Sequence, residues 1–366
     1  MSEPVLFTPT HIGRLALANR IVIAPMAQYS AEDGLMNEWH LIHLGHLALS
    51  GAALLTIEAT AVSPEGRNTW GDVGLYSDAC EKAMATVLQG VRAWSDMPIG
   101  IQLNHAGRKA SRKKSWDRST QIAPGLPHGW QTFGPSSVPF VEGEVAPHTL
   151  DREGMAAIRR EFAEAARRAS RLDLAFIEIL GAHGYLLHQF LSPLSNHRQD
   201  AYGGSLENRM RFPLEIFDAV RDAFASDRPV TMRVSATDWV EDGWSLEDTM
   251  AWVDALALRG YAAIHVSSGG SSPAQRIPVG PSYQVPLARA LKQATHLPII
   301  AVGLITDFEQ AESIVGTGDA DLVALARAAL YDPRWPWHAA AHFGAQVHVP
   351  KPYLRAQPTR FPGLFR

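Results

Sequence analysis

The hydrophobic positions of this 366-residue chain form eight short apolar runs, each followed by a longer amphipathic stretch. The runs are almost continuously apolar and rich in Val, Ile and Leu. This is typical of parallel strands covered on both faces, whereas half-exposed antiparallel strands alternate. We place the eight strands at Arg20–Pro25, Ala53–Ala59, Ile99–Leu103, Ala175–Leu180, Val230–Val234, Ala263–Val266, Ile299–Val302 and Leu322–Leu325.

The stretches between the runs have helical periodicity. In Ala156–Ser170, apolar side chains recur every three or four residues and arginines lie on the opposite face. Thr306-Asp-Phe-Glu309 and Ser245-Leu-Glu-Asp248 have the spacing of capping boxes that begin helices after the seventh and fifth strands. Eight strand–helix units favour the α/β class and a closed (β/α)8 TIM barrel. A Rossmann-like open sheet fits less well, because no G-x-G-x-x-G follows the first strand.

Two segments lie outside this repeat. Val5–Asn19 precedes the first strand and is predicted to form an N-terminal hairpin, a lid that plugs the barrel floor. Residues 110–147 are rich in Pro, Gly and Trp and follow the third strand. A loop of this length is commonly a lid or a binding element, although an excursion that serves only packing is the alternative. We treat residues 1–366 as one domain, with 345–366 as a C-terminal tail.

Composition narrows the classes of function. With 46% hydrophobic residues, 19% charged residues and a formal net charge of −4, the chain shows no sign of nucleic-acid or membrane binding. A basic run from Arg108 to Arg118 is interpreted as a solvated loop. Cys80 is the only cysteine, which excludes an intrachain disulfide and a cysteine-based zinc site. The first residues lack a signal-peptide pattern, so we expect a cytoplasmic location.

The strand ends carry the candidate chemistry, because active sites of such barrels lie at the C-terminal ends of the strands. We find there no carboxylate pair for glycoside hydrolysis, no H-E-x-x-H and no G-x-S-x-G, and we expect no metal. Gln102 offers an amide to a pyrimidine edge, and Arg233 offers a charge that would stabilise a reduced ring. Gly-rich ends of the last two strands suit a phosphate. Alternatively, Arg233 pairs with a core acid such as Glu178, and Arg327 is a surface residue.

Four blocks of the sequence resemble the Old Yellow Enzyme family, in particular its bacterial branch of xenobiotic reductases and thermophilic-like ene-reductases. These blocks are Asn19-Arg-Ile-Val-Ile-Ala-Pro-Met26, Ile101-Gln-Leu-Asn-His-Ala-Gly-Arg-Lys-Ala110, His183-Gly-Tyr-Leu186 and the twenty residues from Phe190 to Arg209. The resemblance covers nearly the whole chain. It implies an FMN-binding TIM barrel in which NADPH or NADH reduces the flavin, and the reduced flavin passes hydride to an activated alkene.

The resemblance also implies roles for single residues. The flavin ring would be lined by Ala24, Pro25, Met26, Ala27 and Ala59, contacted by Gln102 and Arg233, and its phosphate held by Gly303, Ala326 and Arg327. Tyr29, His183 and Tyr185 would lie on the substrate side, with Tyr185 as the candidate proton donor. Arg355 matches an arginine that reaches the site of a neighbouring subunit, which implies a homodimer or a tetramer of dimers.

Two positions depart from the family pattern. Ala27 stands where this branch usually has a cysteine beside the flavin. Leu180 stands where a histidine usually helps His183 to hold the substrate's carbonyl oxygen, and losing one such donor costs roughly a hundred- to thousandfold in rate. Three functions stay open: an ene-reductase with a shifted substrate range, another flavin reaction such as ring dehydrogenation, ring reduction or oxidative demethylation, and a flavin-binding subunit without catalysis.

Overall fold

The computed structural model describes residues 4–366, and the positions of its strands follow the hydrophobic pattern. In chain order the strands are β1 (Thr10–Ile12), β2 (Leu15–Leu17), β3 (Ile21–Ile23), β4 (Leu54–Ala61), β5 (Ile99–Asn104), β6 (Phe133–Gly134), β7 (His148–Thr149), β8 (Ile177–Gly181), β9 (Val230–Ser235), β10 (Ile264–Ser267), β11 (Ile299–Ala301) and β12 (Leu322–Leu325).

Eight of these strands close into one parallel barrel in the order β3-β4-β5-β8-β9-β10-β11-β12. They correspond one to one to the eight predicted strands, with ends that differ by a few residues. The fourth, for example, was predicted at Ala175–Leu180 and runs over Ile177–Gly181. The closed parallel order confirms the TIM barrel and excludes the open sheet.

Eight of the ten helices in the described part of the chain lie between the barrel strands in sequence, and the last two follow β12. The ten helices are α1 (Glu38–Ala48), α2 (Asp78–Arg92), α3 (Arg152–Arg171), α4 (Leu186–Leu191), α5 (Leu206–Ala223), α6 (Leu246–Ala257), α7 (Val285–Ala294), α8 (Phe308–Gly316), α9 (Arg327–Tyr331) and α10 (Trp335–Phe343). No helix among residues 4–366 is both long and apolar enough to cross a membrane.

The predicted capping boxes of two helices were partly correct. Ser245 and Asp248 form the predicted capping box of α6. At α8 the prediction was wrong by one residue, because Asp307 is the N-cap and Gln310 closes the box. The carboxylate of Asp307 accepts hydrogen bonds from the backbone N–H groups of Glu309 at 2.9 Å and Gln310 at 3.1 Å. A carboxylate suits this position better than the threonine hydroxyl, since it also faces the positive end of the helix dipole.

The β1–β2 hairpin closes the floor of the barrel, as predicted for residues 5–19. Ile12 and Leu17 are buried against a cluster that includes Leu54, Ala263, Ile300 and Leu322, near the beginnings of the barrel strands. The turn needs Gly13, whose φ is +55° and whose added Cβ would lie 3.4 Å from the Cβ atoms of Pro229 and Ala262. The hairpin is therefore a lid on the end opposite to the candidate site.

The 110–147 segment folds back over the end of β5. Within it, Arg112 donates to the carboxylate of Glu144 at 2.6 and 2.7 Å. The ring of Phe140 lies 5.9, 4.5 and 5.2 Å from the cationic groups of Arg108, Lys109 and Arg112. Arg108 and Arg112 are only 4% and 6% exposed, so the interpretation of the basic run as a solvated loop was wrong for its first half.

Candidate active site

Four polar side chains from neighbouring strands form a buried layer inside the barrel. Gln102 of β5, Glu178 of β8, Arg233 of β9 and His265 of β10 are each less than 10% exposed. The register pairs Gln102 with Glu178 and Arg233 with His265, and residues in register point to the same face of a sheet. Nε2 of Gln102 donates to Glu178 Oε1 at 2.6 Å, and Nδ1 of His265 lies 2.8 Å from Glu178 Oε2.

The protonation states within this layer follow from its charges. Burial raises the pKa of Glu178, but His265, Arg233 and Gln102 outweigh it and hold that pKa below its usual value. Burial and the charge of Arg233 lower the pKa of His265. At neutral pH, Glu178 is therefore a carboxylate that accepts a hydrogen bond from the Nδ1–H of a neutral His265.

Arg233 takes no part in this pairing. No carboxylate among residues 4–366 lies within ion-pair distance of its guanidinium, so the alternative of an Arg233–Glu178 ion pair is not realised. Its Nε is buried and has no hydrogen-bond partner within the described residues. Leaving a buried donor unsatisfied costs about 1–3 kcal/mol. An anionic group with acceptor atoms beside Arg233 would remove that cost.

A cavity of about 270 Å³ extends from Arg233 across the ends of β10, β11 and β12. His183 and Arg233 line one side of it, and Gly303, Ala326 and Arg327 the other. Gly303 has φ +124°, and a Cβ there would lie 2.6 Å from Nε2 of Gln284. The cavity therefore has two arginines in its lining, Arg233 and Arg327, each of which can bind an anionic group. Its lining also includes Tyr283 and Gln284, which the sequence analysis missed.

The loop after β8 places His183 and Tyr185 above the buried layer. Nε2 of His183 lies 2.8 Å from Oγ of Ser267, and its backbone N–H donates to Oγ of Ser235 at 2.9 Å. Burial and the charge of Arg233 hold the pKa of His183 well below its usual value, so the ring is neutral. Burial raises the pKa of Tyr185, whose ring meets that of His183 edge-on at 6.5 Å. Its phenol is thus protonated at neutral pH.

Lys109 forms hydrogen bonds with both this loop and the loop after β10, and the sequence analysis did not predict them. Its Nζ donates to the carbonyl oxygens of His183 at 2.7 Å and Gly270 at 2.9 Å, and lies 5.2 Å from the ring of Tyr185. Burial lowers its pKa to about 7. The two loops touch, because a Cβ at Gly184 would lie 2.1 Å from the oxygen of Gly270.

The segments at the ends of β3 and β4, together with His183 and Tyr185, form the rim of the candidate site. Ala24 is buried, and Pro25, Met26 and Ala59 are partly buried, whereas Ala27 is exposed. Glu58 of β4 accepts a hydrogen bond from the backbone N–H of Gln28 at 2.7 Å and lies 3.6 Å from Nε2 of His40. Burial raises the pKa of Glu58 to about 8, and burial lowers that of His40 to about 4. The two buried groups are therefore mostly neutral at pH 7.

Of the remaining predicted positions, Leu180 and Tyr29 lie at the candidate site and Arg355 does not. Leu180 is 2% exposed and in register with Arg233, so an apolar side chain stands beside the buried layer. Tyr29 has φ +51° and meets Trp116 edge-on at 5.9 Å. Arg355 is exposed on a short 3-10 helix, Lys351–Ala356, whose Tyr353 contacts Trp337 rather than the rim.

A parallel barrel with a cavity between two arginines, one of them buried and without an ion pair among residues 4–366, and a rim of tyrosine and histidine defines a TIM-barrel flavin oxidoreductase. The sequence profile of the NADH:flavin oxidoreductase / NADH oxidase family matches residues 5–346, and the chain belongs to that family. It is accordingly an enzyme that uses FMN and takes its reducing equivalents from NADPH or NADH.

Individual proteins support this assignment. An NADPH dehydrogenase of Geobacillus thermodenitrificans is 40% identical over 353 residues, which cover 96% of this chain and 98% of that one. An NADH:flavin oxidoreductase of Gibberella zeae is 39% identical over 361 residues, covering 94% and 87% of the two chains. Among solved structures, morphinone reductase aligns with a TM-score of 0.75 and 28% identity over 100% of this chain and 94% of its own.

Proposed function

We propose that the protein is an ene-reductase that reduces an activated C=C bond, with Tyr185 as the proton donor. When bound, FMN supplies the hydride chemistry between the nicotinamide and the alkene. The observation that carries the proposal is the position of Tyr185, a protonated phenol, next to His183, which lines the same cavity as Arg233.

This chain's own residues would hold the cofactor as follows. The acceptor Oε1 of Gln102 is fixed because the amide's Nε2 is bound to Glu178, and it would meet a donor on the pyrimidine edge. Arg233 would lie at the N1/C2 region and balance negative charge there. Gly303, Ala326 and Arg327 would hold the phosphate, and Ala24, Pro25, Met26, Ala27 and Ala59 would contact the ring.

Tyr185 would deliver the proton to the carbon that does not receive hydride, and Tyr29 would close the opposite side of the substrate. A positioned proton donor contributes typically 10²–10⁴-fold to a rate. Replacing Tyr185 with Phe should therefore slow alkene reduction by about two orders of magnitude, while reduction of the cofactor by NADPH continues. Unchanged alkene reduction in that variant would assign the proton to another group.

The decisive experiment is a visible spectrum of the purified protein under anaerobic conditions. Addition of NADPH should bleach the yellow colour, and 2-cyclohexenone or a maleimide should restore it. Bleaching without recovery by any electron-poor alkene would leave an NAD(P)H oxidoreductase that is not an ene-reductase.

A second candidate is a different flavin reaction on a specialised substrate, such as ring dehydrogenation, ring reduction or oxidative demethylation. Two observations at the rim favour it. Leu180 provides no hydrogen bond, and Nε2 of His183 is already engaged by Ser267 at 2.8 Å. A substrate that needs no carbonyl anchor would suit this rim. The two candidates differ in the oxidant that restores the colour after bleaching.

We also propose that the enzyme forms a homodimer, or a tetramer of dimers, in which Arg355 enters the site of the neighbouring subunit. Arg355 is exposed, and its segment carries the exposed apolar side chains Tyr353 and Leu354 at 40% and 44%. Sedimentation analysis should show at least a dimer, and Arg355→Ala should lower alkene reduction. A fully active monomer would contradict the proposal.

A further inference from the structure

A second cavity lies beside the candidate site, between Trp70 and the first half of the 110–147 segment. Its volume is about 810 Å³, three times that of the cavity at Arg233. Its lining includes Trp70, Lys113, Trp116, Arg118 and His128. We call these five residues the indole vestibule. It adjoins the rim, because Trp116 meets Tyr29 edge-on at 5.9 Å.

The vestibule presents flat aromatic surfaces to a ligand. Trp70 stacks on His128 with ring centroids 4.7 Å apart and planes 18° apart. Nζ of Lys114 lies 5.2 Å from the ring of Trp70 and 5.6 Å from that of Trp116, so one ammonium group contacts both indoles. Trp116 is nevertheless 63% exposed. Exposed aromatic rings whose orientation is fixed by neighbouring side chains are the surfaces on which nucleic-acid bases stack.

The vestibule is also positively charged. Lys113, Lys114 and Arg118 belong to none of the ion pairs found among residues 4–366, and Asp117 is the one acid in the lining. The chain as a whole has a formal net charge of −4, so this local excess of positive charge is not a general property of the surface. Exposed cations around aromatic faces match a ligand that combines a planar ring with phosphate.

We propose that the indole vestibule binds the adenosine 2′-phosphate end of NADPH. The purine would stack on Trp116, and Lys113 and Arg118 would bind the 2′-phosphate, so the enzyme prefers NADPH to NADH. This inference rests on the proposed function, since the nicotinamide must lie past Tyr29 to reach the cofactor while the rest of the dinucleotide extends outwards. A simple aryl carboxylate matches the vestibule less well, because it would use only one of the cations and one of the aromatic rings.

The first test is binding without turnover. Titration of the FMN-loaded enzyme with 2′,5′-ADP should quench tryptophan fluorescence and raise the apparent Kd of NADPH competitively. Adenosine 5′-monophosphate, which lacks the 2′-phosphate, should bind about tenfold more weakly, as expected for the loss of one charge-assisted interaction.

The second test uses variants. In the doubly substituted Lys113→Ala, Arg118→Ala enzyme, the ratio of the Kd values for NADH and NADPH should fall from about ten towards one. Trp116→Ala should weaken both reductants and abolish the fluorescence response to 2′,5′-ADP. Lys82→Ala, an exposed lysine on α2, is the matched control and should keep the wild-type ratio. The FMN content of each variant reports on folding.

The outcomes separate this inference from the proposed function. If 2′,5′-ADP neither quenches nor competes, or if wild type binds NADH and NADPH equally, the inference is overturned even though hydride transfer continues. If 2-naphthoate quenches and 2′,5′-ADP does not, the vestibule belongs to an aryl substrate and the inference is again overturned. If neither reductant bleaches the enzyme, the proposed function fails, and the binding of 2′,5′-ADP still decides this inference.

Discussion

The two halves of the candidate site, which we propose face the cofactor and the substrate, lie on different kinds of structure. Gln102, Glu178, Arg233 and His265 lie within β5, β8, β9 and β10, where the register fixes their relative heights. Tyr29, His183 and Trp116 lie on connecting segments, and the first two adopt φ values of +51° and +59°, which residues other than glycine rarely adopt. One half is fixed by the barrel, and the other by packing between loops.

This difference indicates where the chemistry of the enzyme can vary. Ala27 follows β3 and Leu180 lies near the end of β8, and both would face the ring or the substrate. The vestibule lies on connecting segments. A rigid set of strands that holds a cofactor allows its rim to change substrate without loss of cofactor binding. Substitutions in the two halves should therefore have separable effects.

The largest effect is expected at Leu180. Replacing it with His adds a donor at the rim, where charge would develop on a carbonyl oxygen, and should raise enone reduction by roughly a hundredfold. The rate of reoxidation by 2-cyclohexenone in stopped flow measures it. Leu180→Met, which keeps the volume without adding a donor, is the control. An equal gain in both variants would show that shape rather than hydrogen bonding limits the reaction.

A somewhat smaller effect is expected at Arg233. Its replacement by Ala removes the buried positive charge and should weaken FMN binding by roughly 50-fold, or about 2–3 kcal/mol. Because Arg233 has no ion pair and its Nε has no hydrogen-bond partner within the part of the chain that the structure describes, the unloaded protein should lose little stability. Fluorescence titration with FMN and urea denaturation of the unloaded protein separate the two effects. Unchanged FMN affinity in Arg233→Ala would show that Arg233 does not contact the cofactor. The variant Arg233→Lys keeps the charge and shows how much of the loss in affinity is due to charge alone.

The sequence predicts the positions of the barrel strands well, but it does not predict the contacts between strands or between loops, for physical reasons. The barrel strands are local apolar runs, and Gln102 and Arg233 stand out as polar residues within them. The partnership of Glu178 with Gln102 and His265 joins residues 76 and 87 positions apart, so no local pattern reports it. Lys109 looked like part of a solvated basic run because its two carbonyl partners come from distant loops.

Glu58, on β4 beside the rim, should make the free energy of unfolding depend on pH. Burial raises its pKa from 4.5 to about 8, so the folded protein keeps a proton that the unfolded chain releases. Its contribution to stability is therefore complete below about pH 4.5 and is lost as pH rises towards 8. Glu58→Gln cannot ionise, so its stability relative to wild type should increase by about 2 kcal/mol between pH 5 and pH 7.

Urea denaturation at pH 5, 6 and 7 measures this change. The exposed Glu241, replaced by Gln, is the control and should show no such drift. A constant difference between Glu58→Gln and wild type across this range would mean that Glu58 is ionised in the folded protein.

The smallest effect is expected for Glu178→Gln. Comparing this variant with Glu58→Gln distinguishes the charged carboxylate of the buried layer from the neutral carboxyl group at the rim. Glu178→Gln removes a negative charge near Arg233, so reduced anionic flavin should be favoured and the two-electron midpoint potential should rise by about 30 mV, or roughly 1.4 kcal/mol. Glu58→Gln removes a group that is mostly protonated at pH 7 and should leave the potential unchanged. Equal shifts in the two variants would contradict the protonation states assigned here, because only a carboxylate that is ionised at pH 7 can act through its charge.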